Sequence, residues 1–171
     1  EAYASSSNFG AIVELDRAVY SWTDLVVISV TAPDWNKDSS ASETIGTSAL
    51  PVQISSRAGK LCPASTYTLA ESGDDTGVFT GEIRLVGYTN DKAEITNEGT
   101  NSCSGPTSGT LALAAGADGV TVSYEYTNGE VSIGSAITSW IIAEVSLGAS
   151  SRSATGSTLV RMVDPDRDLH P

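Results

Sequence analysis

The feature that most limits how this chain can fold is an alternation of apolar and polar side chains around an Asn-Gly pair. From residue 120 to residue 127 every second residue is Val or Tyr, and the residues between them are Thr, Ser or Glu. Asn128-Gly129 follows, and the alternation resumes over residues 130–133. A strand turns successive side chains to opposite faces, and Asn-Gly is the preferred pair of a two-residue type I′ turn. This segment therefore predicts a β-hairpin.

The rest of the chain also reads as short strands, and no segment shows a helical period over ten residues. Further strands are predicted at residues 11–20, 25–31, 52–55, 66–70, 78–86, 137–147 and 158–163. Within residues 78–86, alternation places Phe79, Ile83 and Leu85 on one face with Gly81. Eight or nine strands separated by turn residues predict an all-β fold, an immunoglobulin-like antiparallel β-sandwich, with a barrel as the alternative.

Two long irregular segments interrupt the strands. Residues 32–50 are acidic and rich in Ser, and residues 89–117 are rich in Asn, Gly, Ser and Thr. Loops of this length usually bind something or need tethering. Cys62 and Cys103 are the only cysteines, and neither a C-x-x-C pair nor a histidine cluster accompanies them. They predict a disulfide that tethers the second loop, with two buried free thiols as the alternative.

The two ends of the chain resemble each other. A shift of 132 residues aligns Pro33 with Pro165 and Asp34 with Asp166, and the apolar residues before them match as well. Farther upstream, residues 143–145 resemble residues 13–15 at a shift of 130. The end of the chain therefore looks like the opening of a second module. Coincidence in a β-sequence of low diversity is the alternative.

This internal similarity predicts how the chain is organised. Residues 1–10 form an N-terminal arm, residues 11–156 the sandwich, and residues 157–171 the start of a following module or an exchanged strand. Strands without their partners have open edges that recruit other chains. We therefore expect the terminal segment or the N-terminal arm to mediate head-to-tail assembly by strand addition.

The charge of the chain favours cations as partners. Nine Lys and Arg residues stand against 21 Asp and Glu, which gives a formal net charge of −12. This balance argues against nucleic acid and against anionic lipid, since both require a basic surface. The apolar stretches are far shorter than the roughly 20 residues of a membrane-spanning helix, so no membrane span is expected.

One acidic loop has the spacing of a calcium site. Asp34, Asn36 and Asp38 form a D-x-N-x-D pattern, and Glu43 follows as a later carboxylate. Alternate oxygen ligands on a tight loop are typical of Ca²⁺ sites, because this cation takes six to eight oxygens. A solvated loop with Asx-turns is the alternative. The same spacing recurs near the end of the chain, at Asp164, Asp166 and Asp168.

The sequence nominates no catalytic and no cofactor-binding residues. It contains no G-x-S-x-G, P-loop or H-E-x-x-H motif, and the only histidine is His170. Without a nucleophile and a base to pair, an enzyme is not expected. An adhesin or a carbohydrate-binding module is the alternative function, with Trp35 in the acidic loop as its exposed aromatic residue.

Four segments carry a resemblance to a known family: residues 16–38, 69–88, 118–137 and 158–171. With their G-x-D-T-G-V-F-T-G-E motif, they resemble the immunoglobulin-like repeat modules of archaeal surface-layer proteins, above all those of ammonia-oxidising Thaumarchaeota. The resemblance covers most of the chain. It implies an extracellular, non-enzymatic protein of the cell surface that assembles with itself, often with the help of cations. A sheet and a filament both stay open as the assembled form, and so do glycan partners.

Overall fold

The chain divides into two compact units, residues 1–139 and residues 140–171, and in the part that the structure describes nearly all of the regular secondary structure is β-strand. The computed structural model describes residues 10–62, 67–86, 100–105, 107–114, 118–139, 144–148 and 156–163. Among these residues no helix is long and apolar enough to cross a membrane. The predicted all-β class is confirmed.

Twelve of the described strands belong to the first unit. They are β1 (Ile12–Leu15), β2 (Val19–Tyr20), β3 (Leu25–Thr31), β4 (Thr44–Ile45), β5 (Val52–Ser56), β6 (Gly59–Lys60), β7 (Leu69–Glu71), β8 (Val78–Val86), β9 (Ser102–Gly105), β10 (Ser108–Ala112), β11 (Asp118–Thr127) and β12 (Glu130–Thr138). The second unit contains β13 (Glu144–Leu147) and β14 (Val160–Val163). A short 3₁₀ helix, Pro33–Trp35, follows β3.

The strands of the first unit form two sheets. One follows the order β1-β3-β8-β10-β9, with β7 beside β8 and β4 beside β7, and the other follows the order β2-β12-β11-β5-β6. The sheets are mixed rather than purely antiparallel, because β10 runs parallel to β8 and β2 runs parallel to β12. The apolar faces of both sheets contribute to one core, which makes the first unit a β-sandwich.

The core follows the alternation of the longest strands. In β8, residues Phe79, Gly81, Ile83 and Leu85 are buried, as predicted, and the residues between them are more exposed. The bounds of β3 and β8 are those expected from the sequence. The largest fully buried side chains are Trp22, Tyr20, Tyr67, Tyr124, Phe79, Ile28, Ile54, Leu69, Ile83, Leu85, Leu111 and Leu113.

The segment predicted as one strand, residues 11–20, forms two strands in different sheets. β1 pairs with β3 and β2 pairs with β12. The chain crosses between the sheets at Asp16, whose carboxylate accepts hydrogen bonds from Tyr20 Oη at 2.6 Å and from Val27 N at 2.8 Å. In a straight strand, the residues on one face have either all odd or all even numbers. Val13 and Tyr20 are both buried although one number is odd and the other is even, so a single straight strand cannot bury both on one face.

The predicted hairpin of β11 and β12 is confirmed, but its turn is not of type I′. Thr127 pairs with Glu130 around Asn128-Gly129, and the register shifts between Glu125 and Thr127. Gly129 has a φ of 83°, whereas Asn128 is not among the described residues with positive φ. A bulge adds local twist, so the turn itself does not need the two positive φ angles of type I′.

The two predicted loops contain more structure than expected. Strands β9 and β10 lie within residues 89–117, where Leu111 and Leu113 alternate and are fully buried. The sequence reading missed them because each apolar run is short and flanked by Gly and Ser. Residues 32–50 contain the 3₁₀ helix and strand β4.

The predicted strand at residues 137–147 is also wrong as a single element. β12 ends at Thr138, and β13 begins at Glu144 in the second unit. Residues 140–143 lie outside the described residues. So do residues 1–9 of the predicted N-terminal arm. The units divide after residue 139, whereas the sequence placed the domain boundary at residue 156.

Candidate functional site

Two acidic loops meet beside strands β3 and β8. The first, residues 33–43, follows β3, and the second, residues 72–77, precedes β8. Thr31 at the end of β3 lies opposite Val78 at the start of β8, so the antiparallel pairing brings the loops together. Ala32 N donates a hydrogen bond to the Gly77 carbonyl at 2.8 Å and closes the junction.

Two of the predicted calcium ligands take part in this junction. Asn36 Nδ2 donates to Asp75 Oδ1 across the two loops at 2.7 Å. Asn36 Oδ1 is buried and has no hydrogen-bond partner among the described residues. Glu43 Oε2 accepts a hydrogen bond from Lys37 N at 2.7 Å, which closes the first loop on itself.

The other two predicted ligands of this loop lie at its exposed surface. Asp38 Oδ1 accepts a hydrogen bond from Ser40 N at 2.9 Å, the local contact of an Asx-turn. Asp34 lies in the 3₁₀ helix and is exposed.

The predicted calcium site stays a prediction. In the part of the chain that the structure describes, no group of three or more His, Cys, Asp or Glu side chains could hold a metal ion. The second predicted set lies outside the described residues: Asp164, Asp166 and Asp168.

Glu71, a carboxylate that was not among the predicted ligands, joins the two loops. Glu71 at the end of β7 is buried, and its Oε1 accepts hydrogen bonds from Thr76 N at 2.8 Å and Gly77 N at 2.7 Å. Its Oε2 accepts one from Glu43 N at 3.3 Å. Burial alone would raise the pKa of Glu71, but these donors outweigh it and hold the pKa below its usual value. The signal was present in the alternation, since Glu71 shares a face with buried Leu69.

Trp35 is half buried rather than presented on an open loop. Its Nε1 donates to the Tyr126 carbonyl at 3.1 Å, and the Lys37 ammonium lies 4.5 Å from its ring. A cavity of about 220 Å³ lies beside it, lined in part by Asp34 and Tyr126. Small-molecule pockets usually hold about 300–1,000 Å³. With its ring covered by a lysine, Trp35 offers little of the flat surface that stacks against a sugar.

The predicted disulfide is confirmed. Cys62 and Cys103 are bonded, with their Cα atoms 5.5 Å apart. Cys62 follows β6 and Cys103 lies in β9, so the bond joins the two sheets through their outer strands. It tethers the segment that was expected to be a long loop.

The second unit presents an apolar surface. β13 and β14 form an antiparallel pair, and within the described residues neither strand pairs with a third. Val145 lies opposite Met162, and Leu147 lies opposite Val160, so these four side chains share one face. Each of them is between 58% and 62% exposed. An isolated two-stranded hairpin is at best marginally stable in water, which makes this face the strongest candidate for a contact surface.

No protein-family model matches the chain, and no curated protein matches it.

Proposed function

We propose that this chain is a structural, extracellular protein of the cell surface that assembles with copies of itself through β-strand edges. The assembled form is a surface layer or a filament, and divalent cations such as Ca²⁺ assist it. The protein is not an enzyme in this proposal. The observation that carries it is the β13–β14 pair, with open edges and an apolar face that no described strand covers.

The strand order supports the immunoglobulin-like part of the proposal. The path β1-β3-β8, with β7 beside β8, corresponds to the A-B-E-D sheet of such domains. The path β12-β11-β5 corresponds to their G-F-C sheet, and β9 and β10 are then an insertion. Modules of this kind are common in cell-surface proteins, and the family resemblance points the same way.

The charge supports a role for cations in assembly. A chain with a net charge of −12 repels its copies, and bound or screening cations reduce this repulsion. The buried and unpartnered Asn36 Oδ1 at the loop junction offers one oxygen of the kind that Ca²⁺ prefers.

The experiment is sedimentation of the purified chain with millimolar Ca²⁺ and with a chelator, followed by negative-stain imaging of any large species. We expect ordered polymers with Ca²⁺ and fewer of them with chelator. Polymers that ignore the chelator would remove Ca²⁺ from the proposal and keep strand pairing. A clean monomer under both conditions would contradict self-assembly and favour an adhesin or a carbohydrate-binding module.

A matched pair of variants tests the surface itself. Leu147→Asp places a charge on the apolar face of the hairpin, and Ser146→Asp places the same charge on the opposite face one residue away. We expect Leu147→Asp, like deletion of residues 157–171, to abolish polymers, and Ser146→Asp to retain them. Polymers at wild-type concentration after the deletion would rule out the second unit as the assembling element.

A further inference from the structure

The second unit repeats the first hairpin of the sandwich pair by pair. Adding 132 to each residue number of the β1–β3 pairing gives the β13–β14 pairing without a gap. The matching pairs are Ile12–Thr31 with Glu144–Val163, Val13–Val30 with Val145–Met162, Glu14–Ser29 with Ser146–Arg161, and Leu15–Ile28 with Leu147–Val160. The loops that connect the paired strands therefore have equal length, although residues 149–155 of the second lie outside the described residues.

The hydrogen bond that ends each hairpin repeats as well. Asp16 N donates to the Val27 carbonyl at 3.1 Å, and Gly148 N donates to the Leu159 carbonyl at 2.8 Å. These two pairs are again related by 132 residues. Five consecutive backbone pairs in one register exceed what chance similarity between two apolar strands would produce, since a strand pair can slip by any number of residues.

The two hairpins differ in what covers them. In the first, Val13 is 7% exposed and Val30 is fully buried. Their counterparts Val145 and Met162 are each 62% exposed. The sequence keeps apolar residues on this face at all four positions, yet only the first hairpin buries them.

The first unit shows what such a hairpin needs. The free side of β3 pairs with β8 from Leu25–Arg84 to Thr31–Val78, which leaves no open edge there. The inner face of β1 packs closely against the second sheet, because a Cβ added at Gly134 of β12 would lie 2.8 Å from the Val13 carbonyl oxygen. The partner of a β1–β3 hairpin is thus a β8-type strand with an opposing β11–β12 sheet.

We propose that residues 144–163 are the first hairpin of a second β-sandwich in a 132-residue repeat. The partner of this hairpin is a sandwich of the same repeat that lacks its own first two strands. In this arrangement β14 pairs with a strand equivalent to β8. The core of the partner sandwich is completed by the face of Val145, Leu147, Val160 and Met162. The proposal goes beyond the proposed function, because it gives this hairpin a different partner: a sandwich of the same repeat rather than a copy of this chain. It also names the sheet and the register of the pairing.

A second copy of this chain is the less suitable occupant. In each copy β3 already occupies the edge of β8, and it is held there by its covalent connection. An incoming hairpin from another copy would have to displace it, and the tethered strand has the advantage of a high effective concentration. A sandwich without its first hairpin presents the same edge and core with no competitor.

The test fuses a copy of residues 40–139 to the end of the complete 171-residue chain, which restores the 132-residue spacing. Met162→Cys and Arg161→Cys are made separately in the chain and in the fusion. The two native cysteines are disulfide-bonded, so the introduced thiol is the reactive one. Maleimide labelling then reports burial of the inner-face position, with Arg161→Cys on the opposite face as the control.

We expect Met162→Cys to react about 100-fold or more slowly in the fusion than in the chain, and Arg161→Cys to react at similar rates in both. Equal rates at Met162→Cys, or equal protection of both thiols, would overturn the inference. Protection that rises with the concentration of the unfused chain would identify a second copy as the occupant and overturn it too. These rates do not depend on polymers, so a chain that never sediments contradicts the proposed function alone.

Discussion

Replacing Tyr20 with Phe removes the hydroxyl that holds the crossing between the two sheets. Tyr20 is 1% exposed, and its Oη donates to Asp16 Oδ1 at 2.6 Å and accepts from Arg17 N at 3.0 Å. Losing a hydrogen bond to a charged group costs about 1.5–3 kcal/mol of unfolding free energy. For a unit of this size, about 3–5 °C of melting temperature is lost per kcal/mol. We therefore expect Tyr20→Phe to lower the melting temperature by about 5–15 °C at pH 7.

The pH dependence of this difference follows from the pKa of Asp16. Burial would raise it, but the hydrogen bonds from Tyr20 Oη and Val27 N and the charge of Arg17 hold it below its usual value. A carboxylate with a lowered pKa stabilises the folded state above the unfolded pKa, and this stability is lost as pH falls through the folded pKa. The difference between wild type and Tyr20→Phe should therefore be constant from pH 7 to about pH 5 and shrink below about pH 4.

Thermal unfolding followed by circular dichroism between pH 7 and pH 2.5 measures both quantities. Tyr124→Phe is the matched control, because Tyr124 is equally buried and its hydroxyl forms no hydrogen bond with the described part of the chain. It should change the melting temperature by much less than Tyr20→Phe. Equal effects of the two variants, or a Tyr20→Phe effect that persists unchanged at the lowest pH, would refute the assignment of stability to the Asp16 contact.

Three further predictions use the same assay. Replacing Cys62 and Cys103 with Ala should lower the unfolding free energy by about 4 kcal/mol, because the bond closes a loop over a 41-residue separation and so reduces the entropy of the unfolded chain. A loss below about 1 kcal/mol would show that the bond does not constrain the unfolded chain. Ile28→Ala should lower the unfolding free energy by about 2–5 kcal/mol because Ile28 is fully buried. Val160→Ala at the matching position should lower it by less than about 0.5 kcal/mol, because Val160 is exposed, and similar losses for the two variants would contradict this difference in burial. Glu71→Gln should lower the melting temperature at pH 7 and have less effect in acid, because a carboxylate with a lowered pKa stabilises the folded state only while it is ionised. A loss of melting temperature that grows as the pH falls would contradict this prediction.

Long alternation of apolar and polar residues made the central strands predictable. The prediction failed where the buried residues change from odd to even numbers within one segment. β3 and β8 alternate over seven and nine residues, which fixes both their bounds and their buried faces. Residues 11–20 alternate too, but the buried positions change from odd at Val13 to even at Tyr20. That change is a detectable sign of a crossing between sheets. β9 has no such sign, since Ser, Cys, Ser and Gly give no contrast between two faces.

The candidate site was predictable only in part, because ligand spacing along the chain does not determine which groups converge. Asn36 and Glu43 do lie at the junction of the two loops. The carboxylate that organises this junction, Glu71, comes from the end of a strand and was not among the predicted ligands. Its partners are backbone N–H groups, which have no signature in the sequence. Hydrogen bonds to backbone are therefore the part of such a site that requires coordinates.

The internal repeat shows most clearly what the sequence alone could not decide. It offered a shift of 132 for β14 and a shift of 130 for β13, and both are even. Any even shift keeps apolar residues on the same face of a strand, so the pattern cannot choose between them. Backbone pairing does choose, because Val13 opposite Val30 maps onto Val145 opposite Met162 only when both strands shift by 132. Under that shift Glu14 corresponds to Ser146 rather than to Glu144, so the repeat retains the apolar inner face while the charged outer positions differ between the two hairpins. A hairpin with apolar residues at all four inner positions has the face that a sandwich core requires, and this is the reason to look for its partner among sandwiches of the same repeat.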